Sequence, residues 1–595
     1  LTTKTKISPI LAVAALACGL AACGRPAPAP GAAAKPVLAA SHDEAASWAE
    51  RTLETLDLER KVGQMIGVDI RGDYAALDSP ASQKLLGLIR DHGIGAFVVY
   101  GGSPQDTASL LNRLQRESAL PLFFASDFEG GPGQQIAGAS EFPANMALAA
   151  AGSEELAYAV GRAGAAEGRA VGIHITFSPV VDIQTRPDNP VLGVRSFGAD
   201  IGVLGRLAGA YIRGYQENGM LATAKHFPGR GDVRLIPGTE FTVNDKPAAE
   251  VEAGDFAAFK KAIDAGVAVV MSEHIAVPSV TGGSDLPASV EKKLATDWLR
   301  DRLGFTGLLT TDDMWYEKVV RRFGAVEACV RAVEAGHDLV LKPADPVAAA
   351  AGIVEAVRSG RLSGERIDAS VRRILYWKAR LNLHRERFVD ESRVAAVVGC
   401  RDHKALVARV ADESLTIVRN DGFFPRPAAG PGKIVHVSIQ KKEIDPAPSV
   451  VEAKLKAAFP GLKSFAIGPY TSDERRAEAL EAARGADTVV ISLFNARTAY
   501  KDNGPLSAGD RALVDRLVQA GPKAAVAVSY GNPYLAAEVK GAAAFVVGYG
   551  EGGFYGNQTI FADSFIRLLR GELRPKGKLP VAVSADLPLG SGVAY

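Results

Sequence analysis

The chain has 595 residues, 47% hydrophobic and 23% charged, a globular composition that excludes a mainly disordered protein. Its 68 Lys and Arg balance 67 Asp and Glu to a formal charge of +1. No basic surplus exists to neutralise a phosphate backbone, so nucleic acid is excluded as a general partner. Of the 4 Cys, two precede Gly24, and Cys329 with Cys400 makes no disulfide framework. Abundant Ala and Gly with 7% aromatics suit close-packed helices on parallel strands better than an aromatic-rich sandwich.

The chain opens on Lys4 and Lys6 followed by an apolar stretch from Ile7 to Leu20, the pattern of a secretory leader. Leu20-Ala21-Ala22-Cys23-Gly24 resembles a bacterial lipobox, so residues 1–22 read as a lipoprotein signal peptide and Cys23 as the acylation site. An ordinary cleaved leader with an incidental Cys is the alternative. Residues 23–45 are rich in Pro and Ala without hydrophobic period and read as an extended tether. No later run approaches the roughly 20 apolar residues of a membrane span. The expectation is a soluble body on a lipid anchor in the cell envelope, on the periplasmic or extracellular side of a membrane.

Across residues 46–390, short apolar runs alternate with helix-like stretches such as Ser153 to Ala170 and Val290 to Leu303. The expected strands are Met65 to Asp69, Ala96 to Tyr100, Leu122 to Ser126, Ile173 to Ser178, Ala222 to Lys225, Val267 to Met271, Gly307 to Thr311 and Asp338 to Leu341. Eight such units suit a (β/α)8 TIM-like barrel; a doubly wound open sheet shares the alternation. Beyond the charged connector Glu386 to Cys400, residues 391–595 read as a second α/β sandwich domain. Its strands are expected at Ile434 to Ile439, Ser464 to Ile467, Thr488 to Leu493, Ala524 to Ser529 and Phe545 to Gly548.

In a barrel the chemistry sits where strands end and βα loops begin. Those positions hold Asp127, Glu129, Asp182, Lys225, His226, Glu273, His274, Asp312 and Asp313. Such a polar cup can protonate, bind or attack a polyhydroxylated substrate. A helix cap is the plain alternative for Asp313. Gly548-Tyr549-Gly550-Glu551-Gly552-Gly553 fits G-x-G-x-x-G, but no dinucleotide fold precedes it, so no cofactor is expected. No His-Glu-x-x-His or paired Cys motif suggests a catalytic metal.

Several motifs in order resemble glycoside hydrolase family 3. These are Leu56-Asp57-Leu58-Glu59-Arg60-Lys61-Val62-Gly63-Gln64-Met65, Asp127-Phe128-Glu129-Gly130-Gly131, Arg195-Ser196-Phe197-Gly198, Lys225-His226-Phe227-Pro228-Gly229 and Thr310-Thr311-Asp312-Asp313-Met314. Ser529-Tyr530-Gly531-Asn532-Pro533-Tyr534 and Gly577-Lys578-Leu579-Pro580-Val581 resemble the family's C-terminal domain. The Lys-His-Phe-Pro-Gly form is similar to the branch of exo-acting β-N-acetylglucosaminidases. The resemblance implies that Asp312 is the nucleophile of a retaining mechanism and that Asp127, Arg195, Lys225, His226 and His274 bind the sugar.

The departures fall on the proton donor. The branch usually has His-Gly-Asp and then Asp-Ser-His, whose last His is the acid/base; this chain has Arg230-Gly231-Asp232 and then Ile236-Pro237-Gly238. Gln135 stands where the branch usually has Arg. Glu240, just beyond the altered stretch, is the candidate acid/base, with Asp232, Glu273 and Glu551 as rivals. The expected function is removal of a terminal β-linked sugar, N-acetylglucosamine by resemblance, from a glycan or peptidoglycan fragment. The alternatives are a β-glucosidase-like exohydrolase with its acid in the second domain, and a non-catalytic glycan-binding lipoprotein. A Schiff-base aldolase using Lys225 is a more distant third.

Overall fold

The computed structural model describes residues 40–76, 78–189, 191–231, 233, 241–425, 432–441, 446–494, 505–520, 524–550 and 557–595. The signal peptide and Cys23, most of the tether, and Asp232, Glu240 and Glu551 lie outside the described residues. Among the described residues no helix is long and apolar enough to cross a membrane.

Eight parallel strands form the first sheet: β1 (Ile66–Arg71), β2 (Ala96–Tyr100), β3 (Phe123–Ser126), β4 (Ile175–Thr176), β5 (Leu221–Phe227), β6 (Val269–Ser272), β7 (Leu308–Thr311) and β8 (Val340–Leu341). The order runs β8-β1-β2-β3-β4-β5-β6-β7. A parallel bridge between Thr310 and Leu339 joins the two ends, and Thr311 N donates to Leu339 O at 3.1 Å. That closure decides for the barrel against the open sheet. β4 is shorter than expected, although Phe177 N still donates to Ser126 O and Ser178 O still accepts from Thr223 N.

Small residues let the outer helices approach closely. Glu154–Ala170 starts at Ser153, whose side chain accepts from Leu156 N, and packs on Ile201–Gln216. A Cβ on Gly161 would stand 2.5 Å from Tyr211 O, and one on Gly214 2.3 Å from Tyr158 O. Any larger residue would push the pair apart.

The second sheet has order β9-β14-β13-β12-β10-β11, from β9 (Thr416–Asn420), β10 (Ile434–Gln440), β11 (Lys463–Ile467), β12 (Thr488–Phe494), β13 (Ala525–Ser529) and β14 (Ala544–Val547). Five strands match expectation; β9 pairs antiparallel with β14 and was not expected. The polar residues Thr416, Arg419 and Asn420 within its five dilute the apolar run that marks the others.

Among the described residues, barrel and second sheet form one compact unit. Ala144 N donates to Tyr549 O, and Asn557 Nδ2 to Phe142 O at 3.0 Å. Gly198, at φ 117°, lies so close to Pro580 that a Cβ would stand 2.3 Å from its carbonyl oxygen. The Arg-Ser-Phe-Gly and Gly-Lys-Leu-Pro-Val motifs thus meet in space.

Beneath the barrel, Lys378 is fully buried with Nζ on Gln64 Oε1 (2.7 Å) and Gly95 O (3.2 Å), over the Phe123 ring. Burial pushes its pKa down to about 7. An unfolded lysine titrates near ~10.4. Between about pH 7 and ~10.4 the unfolded chain binds the extra proton, so this group adds stability as pH rises through that window. Below it both states are protonated and the dependence vanishes. Denaturant unfolding at pH 7 and 9 should show a gain of order 1–3 kcal/mol that Lys378→Met removes; equal gains in both proteins would contradict this.

Candidate active site

The C-terminal ends of the barrel strands converge on one polar cup. Its centre is Lys225, at the end of β5, 3% exposed, with Nζ 2.8 Å from Asp127 Oδ1 and 2.8 Å from Glu129 Oε1. Arg195 grips Glu129 from the other side with two bonds of 2.6 Å, Nε to Oε2 and Nη2 to Oε1. Burial pushes the Glu129 carboxyl up, but the Arg195 and Lys225 charges outweigh it and hold it well below the usual carboxylate range. Burial likewise works against the Lys225 charge, and Asp127 and Glu129 more than restore it, so its pKa stands above that of free lysine. A lysine held as a cation is no carbonyl nucleophile, which removes the Schiff-base reading.

Asp182 organises the next turn. Its Oδ2 lies 2.8 Å from His226 Nδ1, while Oδ1 accepts from His226 N (3.2 Å) and Arg230 N (2.8 Å). The turn aims the Arg230 guanidinium at two carboxylates: Nη2 donates to Glu273 Oε2 and to Asp312 Oδ2, the latter at 3.2 Å. A ring nitrogen of His226 and carboxylate oxygens of Glu273 and Asp312 lie within 4.8 Å of one another. A small cation fits such a spacing, but Arg230 already bonds two of the three.

Asp312 and Asp313 follow β7 and occupy opposed environments. Burial raises Asp312, but Arg230, His274 and the Asp313 amide hold it below the usual value. Asp313 is pushed up to about 7 by burial and by Asp312, against the pull of Lys342. Lys342, with φ 47°, puts Nζ 2.7 Å from Asp313 Oδ2 and 2.9 Å from Tyr100 Oη. Tyr100 Oη donates in turn to Asp127 Oδ2 at 3.1 Å. Above Asp312 opens a cavity of about 420 Å³ with an apolar collar of Val191, Val233, Ile275, Trp315 and Tyr316, a volume that suits a small ligand.

Residues 57–376 match the model of the glycosyl hydrolase family 3 N-terminal domain. The chain belongs to that family. It is 32% identical over 401 residues to a beta-N-acetylglucosaminidase/beta-glucosidase of Cellulomonas fimi, covering 64% of this chain and 68% of the relative. A glycoside hydrolase family 3 beta-N-acetylglucosaminidase of Paenibacillus sp. superposes with TM-score 0.77 at 30% identity, over 89% of this chain and 99% of its own. A beta-glucoside phosphorylase superposes with TM-score 0.79 at 25% identity, over 93% and 99%. The protein is a glycosidase.

The fold of this glycosidase gathers Asp127, Arg195, Lys225, His226, His274 and Asp312 into one site. His274 lines the cavity, with Nδ1 on Ser289 Oγ (2.8 Å), Nε2 on Asp313 O (3.0 Å) and its ring stacked on Tyr316. With both ring nitrogens engaged, it supports the Asp312-Asp313 turn from below. Asp313 is no helix cap: its carboxylate binds Lys342. Sequence reasoning missed Tyr100 and Lys342, although each stands at the end of a strand, where the other site residues were found. It noted Arg230 only as a departure. The Glu240 assignment lies outside the described residues.

The Asp313 environment predicts a step near pH 7 in the pH profile of kcat/KM. Asp313→Asn should abolish it. Lys342→Met should move it to higher pH, because the cation that lowers the Asp313 pKa is gone. Superimposable profiles for all three proteins would refute the assignment.

Proposed function

We propose that the protein is an exported, lipid-anchored exo-glycosidase that releases a terminal β-linked N-acetylglucosamine with retention. The observation that carries this reading is Asp312 lining a cavity of about 420 Å³, its carboxyl held below the usual value, beside the Asp127–Lys225–Glu129–Arg195 cluster. Asp312 attacks the anomeric carbon as the bond to the leaving oxygen breaks, giving a glycosyl ester that water then hydrolyses. Asp127, Lys225 and Arg195 grip the hydroxyls, and charge-assisted bonds of that kind fix the ring in orientation. The choice of sugar rests on the names of the relatives, one of which includes beta-glucosidase.

Asp312→Ala should cost about 10³-fold or more in kcat while the protein stays folded. A 5-fluoro N-acetylglucosaminyl fluoride, which keeps the acetamido group at C2, should leave one adduct on Asp312 in the wild type, read by peptide mass spectrometry. An active, folded Asp312→Ala variant would overturn the mechanism, and preference for the β-glucoside in a panel of aryl glycosides would overturn the choice of sugar. A second reading, transfer to phosphate instead of water, is favoured by the likeness to a phosphorylase. Sugar phosphate formed in phosphate buffer would select it; free sugar alone would reject it.

The anchor rests on the Leu20 to Gly24 motif. Cys23→Ser should move the protein from the membrane to the soluble fraction without lowering its specific activity. Wild-type protein found wholly in the soluble fraction would refute acylation.

A further inference from the structure

We propose that Glu273 is the acid/base of the reaction, supplying the proton to the leaving oxygen and later taking one from water. The inference rests on the reading of Asp312 as nucleophile. Glu273 follows β6, and Asp312 follows its neighbour β7, so both carboxyls stand at the same rim; both line the cavity. Their oxygens lie within 4.8 Å of each other, close to the roughly 5–5.5 Å between carboxyl groups that double displacement uses. The side chain is fixed from both ends: Oε1 accepts from His274 N at 2.9 Å, and Oε2 accepts from Arg230. Glu273 N donates to Phe227 O at 2.7 Å, which locks the backbone beneath it.

One guanidinium serves two carboxylates, and the pair divides its labour by environment. Asp312 is the partner held ionised by Arg230, His274 and the Asp313 amide. The mechanism places the proton on Glu273, the carboxyl that lines the cavity beside the nucleophile. In the first step an Asp312 oxygen bonds the anomeric carbon, and the glycosidic bond breaks. Its electron pair stays on the leaving oxygen, which takes the Glu273 proton. Esterified Asp312 has lost its charge, and Arg230 then faces the Glu273 carboxylate alone. Removal of the like charge lowers the proton affinity of Glu273, as a base in the second step requires. Glu273 now takes a proton from water as the water oxygen bonds the anomeric carbon, and the ester pair returns to Asp312. Asp313, the other carboxyl beside the nucleophile, is engaged with Lys342 on the Tyr100–Asp127 side.

The test compares two leaving groups in Glu273→Ala, Glu273→Gln and Glu240→Ala. Substrates are N,N′-diacetylchitobiose, whose leaving sugar needs a proton, and 2,4-dinitrophenyl N-acetyl-β-glucosaminide, whose phenolate leaves unaided. Glu273→Gln keeps the volume and an acceptor for Arg230, which separates proton transfer from folding. Both Glu273 variants should lose about 10²–10⁴-fold on the disaccharide while glycosylation of the enzyme by the dinitrophenyl glycoside stays within about 10-fold of wild type. Azide should accelerate turnover of the dinitrophenyl glycoside by Glu273→Ala and yield the β-glycosyl azide. Equal losses on both substrates, no loss, or this selective pattern in Glu240→Ala instead would overturn the assignment and leave the Asp312 reading standing. A wild type inactive on both substrates but active on the matching β-glucosides would overturn the choice of sugar, and the same comparison would then be run with cellobiose and 2,4-dinitrophenyl β-glucoside; a wild type inactive on all four would overturn both readings together.

Discussion

The Lys225 ammonium, buried between Asp127 and Glu129 and backed by the Arg195–Glu129 pair, is the constraint on which the site depends. A buried ion left without its partner costs about 3–5 kcal/mol, so each of the four holds the others in place. The cluster joins the end of β3 to the end of β5 and to the Arg195 loop, which no single strand could position. Its outer member, Asp127, keeps part of its carboxylate open to solvent, with a side chain 24% exposed. A ligand therefore meets a charged group whose geometry is already fixed, and little ordering remains to be done on binding.

Around that anchor the site separates carboxyls by environment. Asp312 and Asp313 are neighbours in sequence, yet Arg230 and His274 hold the first ionised while the second is pushed up to about 7. Lys342 adds a link that runs from Asp313 through Tyr100 to Asp127, so the Asp312-Asp313 turn and the Asp127 carboxylate belong to one bonded network. The positive φ of Lys342 sits in a sparsely populated region for a non-glycine residue, and its hydrogen-bonded surroundings maintain it.

The barrel was legible because its strands are short apolar runs, most of them followed at the C-terminal end by a polar residue of the cup. Leu221–Phe227 shows the rule: Leu-Ala-Thr-Ala is wholly buried, and Lys225-His226 follows as the strand opens into the cup. Thr416–Asn420 escaped because an antiparallel edge strand with polar members lacks that run. Tyr100 and Lys342 escaped for a different reason. Both terminate recognised strands, but each acts through a partner far away in sequence, and such partnerships leave no local pattern. Arg230 stood out only as a missing His; its bonds to Glu273 and Asp312 depend on the Asp182-centred turn, which spacing does not reveal.

The central claim is that two carboxyls at this rim catalyse a double displacement at one anomeric carbon. Proton NMR of the first sugar released from an aryl N-acetyl-β-glucosaminide in D₂O, followed before mutarotation, tests it directly. The account predicts that the β-anomer appears first and the α-anomer grows in later. Initial release of the α-anomer would mean single displacement by water, and would contradict both the nucleophilic role of Asp312 and the close pairing of carboxyls proposed around it.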